Sequence, residues 1–206
     1  MAQTGLPFRS GEDRAWDTLH ALSQQDVCTR AAVEFDGPAG CYIVRSFGQD
    51  IIVAPAARSL SSATAAGTAL LAKLGIPARL SVLWYLVNAR DVPLSGELKP
   101  PVVLSGGQIY VQGAHVLPLR KLARKYGPDP AGFVARGREL GGGPLGFGDA
   151  SIGLHPLPRV PAVLILWTGD EEFPARCELL FDATCGLHLP PDIVWAAAAM
   201  TVAVML

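Results

Sequence analysis

The stretch at residues 160–182, VPAVLILWTGDEEFPARCELLFD, decides the fold. Its first part is an unbroken apolar run, VPAVLILW, which reads as a strand covered on both faces. The run breaks at Thr168 and Gly169 into Asp170, Glu171 and Glu172, and Phe173 and Pro174 follow. A second β-favouring segment, ARCELLFD (175–182), then begins. The two predicted strands flank an acidic turn, so the segment is a β-hairpin with GDEEFP at its tip.

Working upstream, GDASIGLHPL (148–157) predicts a third strand beside them. Near the N-terminus, AAVEF (31–35), CYIVRSF (41–47) and IIVA (51–54) alternate with DGPAG and GQD turns, the pattern of a three-stranded antiparallel meander. Residues 11–25 put Ala15, Trp16, Leu19 and Leu22 on one helical stripe, with Ser10 as the cap. Residues 57–74 and 79–89 predict two helices separated at Pro77. A short strand is expected at 102–104, and a helix over 115–127 with Pro118 in its first turn. A further helix runs from Pro130 to about Leu140, capped by Asp129 and ended by glycines 141–143. Helices and strands come in blocks rather than in β-α-β alternation. The expected architecture is therefore α+β: a single compact domain over 1–206, with a mixed or mostly antiparallel sheet packed by helices. Within it, 1–28 is an N-terminal helical segment and 29–206 the α+β core.

Composition narrows the function. Half of the 206 residues are hydrophobic and 17% are charged, which is a folding composition. With 17 basic and 18 acidic residues the net charge is −1, so no field gathers phosphate backbones, and nucleic acid is not an expected partner. The basic group Arg120, Lys121, Arg124 and Lys125 reads as a solvated helix face. The N-terminus has no secretion-signal pattern, which makes cytoplasmic residence the expectation. The apolar run Ile193–Leu206 falls short of the roughly 20 residues a membrane span needs, so a buried terminal helix is expected and no membrane partner.

Chemistry-bearing motifs are sparse. Cys28, Cys41, Cys177 and Cys185 form no CxxC pair and read as reduced structural thiols. His20, His115, His155 and His188 show no metal-binding spacing, although His155 and His188 stand near strand ends. GGGPLGFG (141–148) is rich in glycine, but it follows a helix and leads into a strand, the reverse of a phosphate-cradling loop. There is no nucleophile elbow. The acidic turn remains. In strand-like alternation Asp170 and Glu172 share one side, where two carboxylates suit a hard cation or a general acid–base role. The opposing reading is a solvated turn.

The sequence from Val160 to Ala199 resembles the C-terminal signature of the prokaryotic family described as domain of unknown function 3786. That signature has an LILW strand, GDEEFP, a strand ending in LFD, and a leucine-proline turn into a helix. The likeness extends to PLSGELKP (93–100), LRKLARKYG and the LGG–GD segment (140–149). Members resemble accessory proteins of anaerobic bacteria and archaea. Some carry an iron–sulfur-type cysteine segment, which this chain lacks. The resemblance implies an accessory protein that binds a small molecule, cofactor or metal, in anaerobic cofactor or one-carbon metabolism. Its site would combine Trp167, Asp170, Glu171, Glu172 and Asp182 with Glu97 from the Pro/Gly-rich loop. For a metal, Asp170, Glu172 and His155 are the expected ligands. Two other readings stay open: an enzyme using a carboxylate of the loop, and an interaction module docking a partner or a second copy through 193–206.

Overall fold

The computed structural model describes residues 11–104 and 116–206. Two helices open the described chain, α1 (Gly11–Ala21) and α2 (Gln24–Ala31). The strands β1 (Glu34–Asp36), β2 (Cys41–Ser46), β3 (Gln49–Ala54) and β4 (Ser59–Ser61) follow, and then the long helix α3 (Ala65–Asn88). After a loop come β5 (Leu98–Lys99), α4 (Pro101–Leu104), α5 (Leu119–Tyr126) and α6 (Pro130–Glu139). The chain ends through β6 (Gly143–Pro144), β7 (Ala150–Leu157), β8 (Val160–Trp167), β9 (Arg176–Asp182), the single turn α7 (Cys185–His188) and α8 (Pro191–Met205). All paired strands are antiparallel, in two sheets ordered β1-β2-β3-β4 and β5-β9-β8-β7-β6. The fold is α+β.

The hairpin from 160 to 182 is the centre of the larger sheet. β8 lies between β7 and β9, and every residue from Ala162 to Leu166 is buried. This double coverage explains an apolar run without alternation. Helix α8 is almost wholly apolar from Ile193 onward because most of it is covered, with only the stripe Trp195, Ala199 and Ala203 half-buried. Its last carbonyls find cationic and phenolic donors: Tyr126 Oη donates to Met205 O at 2.8 Å, and Arg136 Nη2 donates to Val204 O at 2.9 Å. The sheets join where Phe47 N donates to His155 O (2.8 Å) and Ser46 Oγ to Pro156 O (2.8 Å).

Several expected elements take another form. The first helix is two, with a break before Gln24, and Ser10 lies outside the described residues. Ala31 closes α2 instead of opening a strand: the N–H of the left-handed Ala32 returns to Cys28 O. The meander has a fourth strand, Ser59–Ser61, where helix was expected. The predicted helices around Pro77 stack end to end in α3, and the break is at Gly75 (φ 56°, ψ −130°). Pro77 then falls in the first turn of the second half, where its missing N–H costs nothing. Residues 102–104 are helical, started by Pro101. Pro118 precedes α5 instead of lying within it, and His115 is outside the described residues. The glycines at 141–143 end α6 as expected, with Gly142 N bonding Gly137 O at 2.9 Å, and then supply the edge strand β6.

Among the described helices α3 is the one long and apolar enough, by length and composition, to cross a membrane. In this fold it packs on α1 and α8.

Candidate functional site

The tip of the hairpin, residues 168–175, is built on one carboxylate. Asp170 Oδ1 accepts the backbone N–H groups of Glu172 (2.9 Å) and Phe173 (2.7 Å), while Asp170 N donates to Phe173 O (2.9 Å). This is an Asx-type turn, in which a short side chain stands in for a backbone acceptor. The loop is therefore not strand-like, and the expected alternation of Asp170 with Glu172 does not apply. At the base of the tip, Asp149 Oδ2 accepts both the N–H and the hydroxyl of Thr168, each at 2.8 Å. Those two bonds, backbone first, hold the Asp149 carboxyl below its ordinary value.

One residue below the tip, Trp167 is the cross-strand partner of Arg176. The Arg176 guanidinium carbon lies 4.0 Å from the indole centroid, a cation–π pair. Facing them is α5. Leu119 and Ala123 give an apolar wall, and Arg120 and Arg124 stand one turn apart on the same side, both exposed. Between helix and hairpin lies an open cleft of about 1130 Å³. Asp149, Thr168 and Asp170 supply its polar edge, Phe173 and Pro174 its rim. Cys177 also lines it, and burial pushes that thiol up to about 12.

Of the residues expected to act together, Trp167 and Asp170 meet in this cleft. Glu171 and Glu172 are exposed and form no part of its walls. Asp182 sits at the far end of β9 from Arg176, about 20 Å away at 3.4 Å per residue. There it is buried, 3% exposed, and accepts from Ser95 N and Oγ, Gly96 N, and Thr184 N and Oγ1. Burial works to raise its pKa, but the bonds from Thr184 and Ser95 prevail and hold it at about 2. Glu97 belongs to the same corner. Its carbonyl accepts Ala183 N (2.8 Å), and its exposed carboxylate pairs with Lys99 at 2.6 Å. The expected convergence of Asp182 and Glu97 with the acidic loop is thus a separation, since β9 is extended between them.

His155 is exposed on β7, five residues beyond Ala150, the position opposite Leu166. It cannot meet Asp170 and Glu172, and among the described residues no group of three His, Cys, Asp or Glu side chains is placed to hold a metal. His188 is fully buried beside Asp182's corner, not at the acidic loop. Its Nδ1 accepts Arg90 N at 3.3 Å, and Nε2 has no hydrogen-bond partner. His20 is exposed on α1. All four cysteines are free thiols, Cys28 half-buried and the others buried.

Sequence reasoning missed Arg120, Arg124, Arg176 and Asp149. A basic helix face looks solvated until a partner wall is known. Arg176 alone carried a usable signal, because a hairpin joining VPAVLILW to ARCELLFD places it opposite Trp167.

The family model described as Domain of unknown function (DUF3786) matches residues 24–204, which takes in both the cleft and the Asp182 corner. Helix α1 precedes the match, although its Trp16 and Leu19 are part of the common core. No curated protein and no solved structure matches the chain. On the extent of the family match, this chain belongs to the domain of unknown function family DUF3786.

Proposed function

We propose that the chain is a cytoplasmic accessory protein that binds a small acidic molecule in the cleft between α5 and the β8–β9 hairpin. The observation that carries this reading is the meeting of the Trp167–Arg176 pair with Arg120 and Arg124 across one cleft. Binding sites combine apolar walls with a few convergent polar groups, and this cleft has the size for such a ligand. Three guanidinium groups face it against two carboxylates, and both carboxylates accept bonds from the hairpin's own N–H groups.

The same facts favour holding a molecule over transforming it. Asp149 is held ionised and the Cys177 thiol is held protonated, so neither is poised to exchange a proton near neutral pH. The reading in which α8 docks a partner draws less support, because most of that helix is covered by its own chain and only Trp195, Ala199 and Ala203 form a half-buried stripe.

Native mass spectrometry of the protein purified anaerobically from its own host tests the proposal. A small-molecule adduct is expected on the native chain and is expected to be lost from the Arg120→Glu/Arg124→Glu variant. Absence of any adduct, or full retention in the variant, rejects the cleft as the site.

A further inference from the structure

Three features of the cleft together specify more than acidity. The first is the state of Arg176. Its side chain is 62% exposed, and the nearest carboxylate oxygen, on Glu178, is 3.6 Å away, beyond hydrogen-bonding distance. Contact with the Trp167 ring restrains the guanidinium, and its one ion pair among the described residues is this long contact with Glu178. A fork held in this way loses little freedom when it captures an anion.

The second feature is Arg120 with Arg124. One turn apart on α5, they line the cleft, and neither has an ion-pair partner among the described residues. Lys125, on the same helix, is instead committed to the carbonyls of Met205 and Leu206. The arginines of this face are thus left for the cleft while its last lysine serves the fold. The third feature is the two acids, one oxygen of each turned onto backbone N–H groups at 2.7–2.9 Å. They shape the loop, and the lining still holds three arginines against two carboxylates.

Three separated forks exceed what one carboxylate uses, since it offers two oxygens and a single charge. A phosphoryl group offers three terminal oxygens and a charge of about −1.5 to −2. Arginine forks match its geometry closely. Resting on the reading of the cleft as a binding site, we propose that its ligand carries a phosphoryl group, gripped by Arg176, Arg120 and Arg124. Trp167 is the positioning residue that restrains Arg176. The organic part of the ligand packs on Leu119, Ala123 and Phe173.

Isothermal titration at low salt with pyrophosphate, adenosine monophosphate and the tricarboxylate tricarballylate tests this on the full chain. Both phosphoryl probes are expected to bind saturably and more tightly than tricarballylate. Arg176→Lys keeps the charge but not the plane, and is expected to weaken pyrophosphate binding roughly ten-fold or more, the effect of a lost charge-assisted bond. Trp167→Leu should weaken it although Arg176 is still present, whereas Trp167→Phe keeps an aromatic face and should restore most of it. Melting curves of these variants should match the native chain, since the pair lies at the surface. Absence of pyrophosphate binding, equal affinity for tricarballylate, or no change in Arg176→Lys overturns the proposal. If these tests fail while the native adduct persists, the cleft remains a binding site and only the phosphoryl class is removed. If the adduct is absent as well, the cleft itself is removed.

Discussion

Ser95 donates twice to Asp182, from its backbone N–H at 3.1 Å and from its hydroxyl at 2.9 Å, across 87 positions of chain. With Gly96 and Thr184 adding their own bonds, the loop before β5 is fastened to the end of β9. The PLSGELKP and LFD segments are two halves of one corner, the first an exposed loop and the second the buried end of β9.

Asp182 should therefore matter to stability and not to ligand affinity. Asp182→Ala removes the buried acceptor of the part-buried donors on Ser95, Gly96 and Thr184 and should cost about 2 kcal/mol. The contribution also has a sign in pH. The folded pKa lies at about 2, below the ordinary 3.8, so the stabilisation is present above pH 3.8 and is lost as pH falls through 2. A shift of that size is worth about 2 kcal/mol. Urea denaturation between pH 5 and pH 2 should show this loss in the native chain and not in Asp182→Asn. An identical acid profile in both would assign the loss to other groups.

His188 acts in a separate window. Burial is the main cause that lowers its pKa below 6.5, and the nearby Arg159 and Arg90 add to it while Asp182 opposes. Protonation would also turn Nδ1, which accepts Arg90 N–H, into a donor facing that donor. The unfolded chain then binds a proton that the folded one refuses. Stability is full above pH 6.5 and falls as pH drops toward the lowered folded value, with a slope of at most about 1.4 kcal/mol per pH unit. His188→Gln should flatten urea-derived stability between pH 7 and pH 5. An unchanged slope would contradict this account.

Packing of α6 on β7 offers a test of the core. A methyl group at Gly137 would overlap Ile152 Cγ1, because the helix lies against the sheet with nothing between. Gly137→Ala gains about 1 kcal/mol of helix propensity. Overpacking costs about 1–3 kcal/mol, so a net loss is expected. In the background of Ile152→Ala, which removes Cγ1 and Cδ1 and leaves only Cβ at 3.1 Å, the same substitution should cost less than it does in the native chain. Chemical denaturation of the four chains gives the coupling, and additivity would show that the helix shifts freely.

The parts of this fold that could be read in advance are those whose reason is local. Asp129 announces α6 because its carboxylate caps within three residues, at 2.8 Å to Gly132 N. VPAVLILW announces a central strand because burial on both faces leaves no polar position. The sequence points to Pro77 for the split of α3 that the backbone makes at Gly75, since proline is the stronger signal and glycine's positive φ is silent in sequence. The cleft was half legible. Trp167 and Asp170 stood out by type, but the arginines that face them depend on where α5 lands beside β9. The grouping of Asp182 with the acidic loop failed for a geometric reason: a straight strand separates its two ends.

The acidic turn itself is decided by comparing two substitutions. Asp170→Asn keeps an oxygen that accepts the N–H groups of Glu172 and Phe173, whereas Asp170→Ala loses both bonds. If the carboxylate serves the turn, Asn should be close to neutral and Ala should cost about 1 kcal/mol in chemical denaturation. Glu171→Gln and Glu172→Gln should stay within about 0.5 kcal/mol, as exposed substitutions do. Affinity then separates the turn from a cation site. Where three arginines receive an anion, removing the Asp170 charge should leave pyrophosphate binding unchanged or tighten it. Where the loop coordinates a metal, the same Asn variant should bind that metal more weakly. Loss of pyrophosphate affinity in Asp170→Asn, with the turn still intact by amide exchange, would contradict the anion-binding account.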